Sequence, residues 1–331
     1  MYLCTLLYKK KIMKKFLLIA LTFIALSRGA VAQVVEPIKF GDFETWTSRK
    51  IYESGIIGGQ ERMVYVIGPE NFIDGNIPYI YGPETDWSSS NVYAKVAGIS
   101  KGSCTVVPEE RTDGKCARLD TKMESVKVLG IINVEVLVSG SFFLGKTYEP
   151  ITNTNDPYAK IEMGIPFTKK PKALVLDYKC LISSNNYVMK HPGVGSTRIK
   201  NRQDKGEFIV YLQKRWEDEK GRIYAKRVGT MRYQLDHNVP EWQNATSFPI
   251  HYGDISGTEY YKDFMALSGK DGLQYKAMNS KGNMELIREI GWADEDEEPT
   301  HIILMITSGN QGAFIGTVGN TVWVDNISFA Y

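Results

Sequence analysis

An exposed aromatic ring can stack on a flat face of a ligand while polar groups beside it hydrogen-bond the ligand's edge. Trp87 lies in the polar run Asp86-Trp87-Ser88-Ser89-Ser90-Asn91, and Trp292 adjoins the acidic run Asp294-Glu295-Asp296-Glu297-Glu298. Tyr79, Tyr81, Tyr260 and Tyr261 have similarly polar neighbours. Trp87, Trp292, Tyr81 and Tyr260 are therefore the candidate stacking residues, with Trp87 foremost. Trp46 and Trp323 fall in predicted terminal strands, where burial is expected.

Other chemistries find less support. Gly98-Ile99-Ser100-Lys101-Gly102 matches a G-x-S-x-G nucleophile turn, which requires a helix after the serine. The following Ser103-Cys104-Thr105-Val106-Val107-Pro108 cannot supply one, because it is poor in helix formers and ends in proline. Zinc needs clustered His or Cys, and His191, His237, His251 and His301 show no ligand spacing. Glycoside hydrolysis needs two carboxylates flanking the scissile bond. With 38 acidic residues, no pair stands out.

The elements that must position such residues read as strands. Short β-branched and aromatic runs are separated by Gly, Asn, Asp and Pro, the pattern of a sandwich or barrel. Strands are predicted from Arg62 to Ile67, Val126 to Ser139, Ala173 to Ile182, Glu207 to Arg215, Ala225 to Gln234, Thr246 to Tyr252, His301 to Ser308 and Thr321 to Tyr331. Lys281 to Ile290 fits a short helix or another strand. Ile67 to Lys101 and Asn185 to Lys205 read as long insertions. The acidic run 294–298 reads as a solvated loop.

Lys14 and Lys15 precede an apolar run from Phe16 to Leu26 and the small-residue end Ala30-Val31-Ala32. This is the layout of a cleavable export signal, and the apolar run is too short to span a bilayer. Residues 1–32 are thus expected to be a signal peptide, its recognisable pattern beginning at Met13, and residues 33–331 a single domain. Six of the 40 basic residues lie in the leader, so the remainder carries 34 basic against 38 acidic residues, a net of −4. That balance gives no general attraction to nucleic acid. No transmembrane segment is expected in the remainder, and no lipid-anchor cysteine lies near the cleavage site. The expected location is the periplasm, the outer surface or the medium. Of Cys104, Cys116 and Cys180, the first two bridge or all three stay as buried thiols. Both readings stand at this point.

Several ordered segments carry a resemblance. These are Phe43-Glu44-Thr45-Trp46, Asp113-Gly114-Lys115-Cys116-Ala117-Arg118-Leu119, Gly164-Ile165-Pro166-Phe167 through Pro171, Phe248-Pro249-Ile250-His251-Tyr252, and the closing strands Pro299 to Ser308 and Thr321 to Tyr331. Together they resemble the putative carbohydrate metabolism domain (PCMD) family of exported proteins from glycan-using Gram-negative bacteria. The resemblance implies an all-β, jelly-roll β-sandwich related to carbohydrate-binding modules, here with long loop insertions. It also implies a structural calcium between an early Glu and a late Asp, making Glu44 and Asp325 the candidates and Asp42 a third. The alternative is that Asp325 caps a turn or meets a basic side chain. The functional expectation is non-catalytic binding of a polysaccharide or other glycan. A glycoside hydrolase on the same fold and a structural or assembly protein of the cell envelope are the alternatives.

Overall fold

Alternation with period two buries one face of a strand, and two such strand sets pressed together make a sandwich. The computed structural model describes residues 34–128, 132–152, 156, 158–269 and 274–331. The expected signal peptide lies outside the described residues. Among them no helix is long and apolar enough to cross a membrane. The main body, Glu36–Tyr331, is all-β and forms a β-sandwich.

The smaller main sheet runs, in spatial order, Val239–Pro249, Ala173–Leu181, Thr321–Ala330, Gly114–Asp120 and Val106–Arg111, every pair antiparallel. The larger sheet runs Ile161–Met163, Ser141–Thr147, His301–Thr307, Gly206–Glu217, Ile223–Leu235, Met284–Trp292 and Lys276–Met278. Its pairing of Ile223–Leu235 with Met284–Trp292 is parallel. The segment that fitted either helix or strand is therefore strand.

Between the sheets, Leu174, Leu176, Tyr178, Val322 and Val324 meet Phe208, Val210, Leu212, Ile302, Leu304 and Ile306 in one core. The intervening residues Ile209, Tyr211 and Ile303 enter a second core on the other side of the larger sheet, with Phe143, Ile223 and Tyr275. Burial on both faces explains why Phe208-Ile209-Val210-Tyr211-Leu212 is a continuous apolar run instead of an alternating one. Ion pairs are enclosed as well: Arg227 with Glu289 and Arg232 with Glu207 in the larger sheet, and Arg49 with Glu149 nearer the N-terminus.

The two predicted insertions are not shapeless loops. The first holds the strands Asn71–Asp74, Trp87–Ser89, Val92–Val96 and Ile99–Ser103, and the second holds Tyr187–Lys190, Pro192–Gly193 and Thr197–Lys200. Ser100 stands in a strand, 7% exposed, in hydroxyl contact with Tyr93, so no nucleophile turn exists there. Cys104, Cys116 and Cys180 are all free, buried thiols.

Candidate functional site

The outer face of the smaller sheet collects what the inner face leaves over. Along Thr321–Ala330, Val322 and Val324 point into the core, so Trp323 and Asp325 point out. A β-bulge follows, since Val175 pairs Ser328 while Asp177 pairs Asp325. Asn326 takes the left-handed conformation there (φ 53°), which Asn tolerates better than most residues. The bulge restores Ile327 and Phe329 to the core. On Ala173–Leu181 the same alternation buries Tyr178 and Cys180 and turns out Asp177 and Lys179.

Register then places Lys179 opposite Trp323, and Trp323 opposite Arg118, in one row across three strands. Trp242, on the edge strand Val239–Pro249, extends the row. The Lys179 Nζ lies 4.7 Å from the centre of the Trp323 ring and 5.3 Å from that of Trp242. Both indoles are half-buried and keep part of their surface toward solvent. The Arg111 guanidinium covers one side of Trp242 at 4.0 Å.

Polar groups frame the rings. Trp323 Nε1 donates to Glu109 Oε1 at 2.7 Å, and Arg118 donates to both Glu109 and Asp120. Arg111 donates to Asp177 at 2.8 Å, to Asp325 and to Asn244. Burial acts to raise Asp177, but hydrogen bonds from the Ala245 amide, Asn326 and Arg111 outweigh it and hold this carboxyl below its ordinary value. At Asp325 burial dominates over Arg111, and the carboxyl is raised. Beneath the face, burial and then Glu109 push the Cys116 thiol up to about 12, so it is inert at neutral pH. Lys179 has no ion pair among the described residues. The arrangement is two half-buried indoles with the Lys179 ammonium over both rings, the Arg111 guanidinium over Trp242, and a border of donors and acceptors. It suits a ligand with apolar ring faces and many hydroxyls.

The predicted stacking residues lie elsewhere. Trp87 is 1% exposed, packed edge-on against Phe142 at 5.4 Å with its Nε1 donating to the Lys39 carbonyl at 2.8 Å. A ring with no open face cannot stack on a ligand, and the expectation for Trp87 is corrected on that ground. Tyr81 packs against Tyr79 and shares a hydroxyl hydrogen bond with Ser88; burial raises its phenol well above the ordinary value. Trp292 is half-buried near Arg227, and Tyr260 is 37% exposed but stacked on His251 with ring centres 3.8 Å apart. Among the described residues no ring contact or hydrogen bond joins any two of these four.

The two calcium candidates are placed as follows. Glu44 Oε1 accepts the Lys115 amide at 3.0 Å, and a Cβ at Gly114 (φ 143°) would fall 2.1 Å from it, so glycine is required at that turn. Asp325 accepts from Arg111 and from the Asn326 amide, so a guanidinium stands where a cation would neutralise it. Asp42 is exposed, and among the described residues no group of three or more potential ligands clusters.

Trp242, Lys179 and Arg111 were not evident as site residues, and Trp323 was expected to be buried. The signal for Trp323 is the alternation in Thr321-Val322-Trp323-Val324-Asp325, which puts the indole on the side of Thr321 and Asp325. For Trp242 the neighbours Glu241, Gln243 and Asn244 carry the same polarity as those of Trp87, so neighbours alone could not choose between the two rings.

Comparison with known proteins agrees with the resemblance seen in the sequence. The family model described as putative carbohydrate metabolism domain matches residues 43–330. No curated protein matches the chain. Among solved structures, a crystal structure described as a putative glycoside hydrolase from Bacteroides thetaiotaomicron is similar, at 16% identity and a TM-score of 0.47 over 91% of this chain and 72% of that one.

Proposed function

We propose, from the premise that the chain belongs to the putative carbohydrate metabolism domain family, that the Trp242–Trp323 face binds a glycan without cleaving it. The family supplies the carbohydrate connection; the geometry supports binding as the role. The observation that carries the reading is the row Trp242, Lys179, Trp323, with two half-buried indoles flanking an ammonium that has no ion pair among the described residues. Stacking on the rings and hydrogen bonds to Glu109, Asp120 and Arg118 would hold a saccharide across the strands.

Hydrolysis fits less well. Asp177 and Asp325 are adjacent and their acidities are pushed apart, as in an acid–base pair. Yet both accept from the same Arg111 nitrogen, which fills the space that a glycosidic bond or attacking water would need. Export, as the leader suggests, is part of the proposal and would place the face among extracellular polysaccharides.

Retention on polysaccharide affinity gels, after a glycan array has named a ligand, tests the reading. Wild type should be retarded and release no reducing sugar, and Trp323→Ala should run free. Release of sugar that stops on Asp325→Asn would replace binding with hydrolysis.

A further inference from the structure

The second core of the larger sheet does not close over its whole length. Beside it a groove of about 700 Å³ opens between the hairpin Val92–Val96 and Ile99–Ser103, the strand Ile132–Val138, and the sheet residues Phe143 and Met305. Ala94, Val96, Val136 and Ile161 contribute to its walls. The volume lies within the range of about 300–1,000 Å³ typical of small-molecule sites. A groove lined so largely by aliphatic side chains is costly to leave wet.

Polar side chains line the groove as well, Glu207, Asn310 and Lys276 among them, and one flank carries an incompletely partnered carboxylate. Glu124, 5% exposed, lines the groove with Lys101 and Ser103. Its Oε2 stands 3.7 Å from both Arg62 and Lys101, whereas Oε1 is buried with no hydrogen-bond partner. The Ser103 hydroxyl is likewise buried and unpartnered. A carboxylate oxygen left in that state is destabilising unless a donor reaches it. The ion pairs of this corner already set Arg62 and Lys101 against Glu53 and Glu124. The missing group is a neutral donor, and an incoming carboxylate would meet Glu124 as a like charge.

We infer that this groove binds an amphiphile, a single aliphatic chain along Ala94, Val136 and Met305 with an uncharged hydroxyl-bearing head donating to Glu124 Oε1 and meeting Ser103. The site shares no residue with the Trp242–Trp323 face, so it stands or falls separately from the glycan reading.

Calorimetric titration with octyl glucoside below its micelle-forming concentration, with octanoate, and with glucose tests it. The glucoside should bind saturably at one site, octanoate at least about tenfold more weakly, and glucose not at all. Glu124→Gln should narrow the gap between glucoside and octanoate, because it removes the repulsion and keeps an acceptor. Ala94→Trp should fill the groove and abolish binding while Trp323→Ala leaves it intact; Val136→Trp repeats the block from the opposite wall should the first variant fail to fold. Absence of saturable binding, as for a groove holding water only, would overturn the inference. So would octanoate binding as tightly as the glucoside, or glucoside binding that survives both blocked grooves.

Discussion

The inner and outer faces of the smaller sheet are made from alternate residues of the same strands, yet they hold their large side chains for opposite purposes. Inside, Leu174, Leu176, Val322 and Val324 are fully enclosed, and Trp87 and Phe142 belong to the same core. Outside, Trp242 and Trp323 stay half-open among Lys179, Arg111, Arg118 and four carboxylates. An indole of the first kind contributes to stability, and one of the second kind is the surface proposed to meet a ligand. The difference lies in strand parity and sheet packing, and residue type alone does not reveal it.

The two faces should differ most at Trp87. Trp87→Ala should cost about 3–5 kcal/mol of stability by leaving a cavity in the core, seen as a large fall in melting temperature. The fraction that remains folded should bind glycan with unchanged affinity. Trp323→Ala and Trp242→Ala should do the reverse. Each should weaken glycan binding by about 2 kcal/mol, roughly 30-fold, while changing unfolding stability by less than about 1 kcal/mol. A Trp87 variant that loses affinity without losing stability would erase the distinction between the faces.

A smaller effect sharpens the electrostatic part. Asp177 is held below its ordinary value, so the stability it contributes is present above about pH 4 and is lost as the pH falls through its folded value. Arg111 is among the groups that hold it there. In Arg111→Met the acid-unfolding midpoint, followed by tryptophan fluorescence, should therefore move to higher pH. Asp325 is raised and works in the opposite sense, its contribution falling as the pH rises, so the shift should be modest. An unmoved midpoint would mean that Arg111 does not govern this pair. The smallest effect is expected at Tyr260, where Tyr260→Ala should leave glycan affinity within about twofold of wild type, since the ring lies against His251.

Much of the framework was legible in the sequence because strand burial leaves a direct mark. Ala173 to Ile182, His301 to Ser308 and Thr321 to Tyr331 were predicted within a residue of the observed Ala173–Leu181, His301–Thr307 and Thr321–Ala330. Thr246 to Tyr252 was less complete, for the edge strand begins at Val239 among exposed polar residues and breaks before His251. The proposed stacking face was not legible. Trp87 looked exposed because Asp86, Ser88, Ser89 and Asn91 surround it, but three of these are themselves buried with their polar atoms satisfied. Ser88 shares a hydrogen bond with Thr147 at 2.7 Å, Ser89 Oγ accepts from the Asn91 amide, and Asn91 donates to the carbonyls of Tyr65 and Val106. Local polarity reports hydrogen-bonding capacity, and only the fold decides whether water or protein uses it. The row through Lys179 depends on the pairing of strands distant in sequence, Lys179 with Trp323 and Trp323 with Arg118 among them, for which a single sequence holds no record.

The proposed binding surface is formed by the two outer indoles and not by the buried one. Calorimetric titration of the Trp242→Ala/Trp323→Ala double variant with the glycan that wild type retains tests it most directly. The double variant should give no measurable heat of binding while its melting temperature stays close to wild type. An affinity equal to wild type in that folded variant would contradict the proposal.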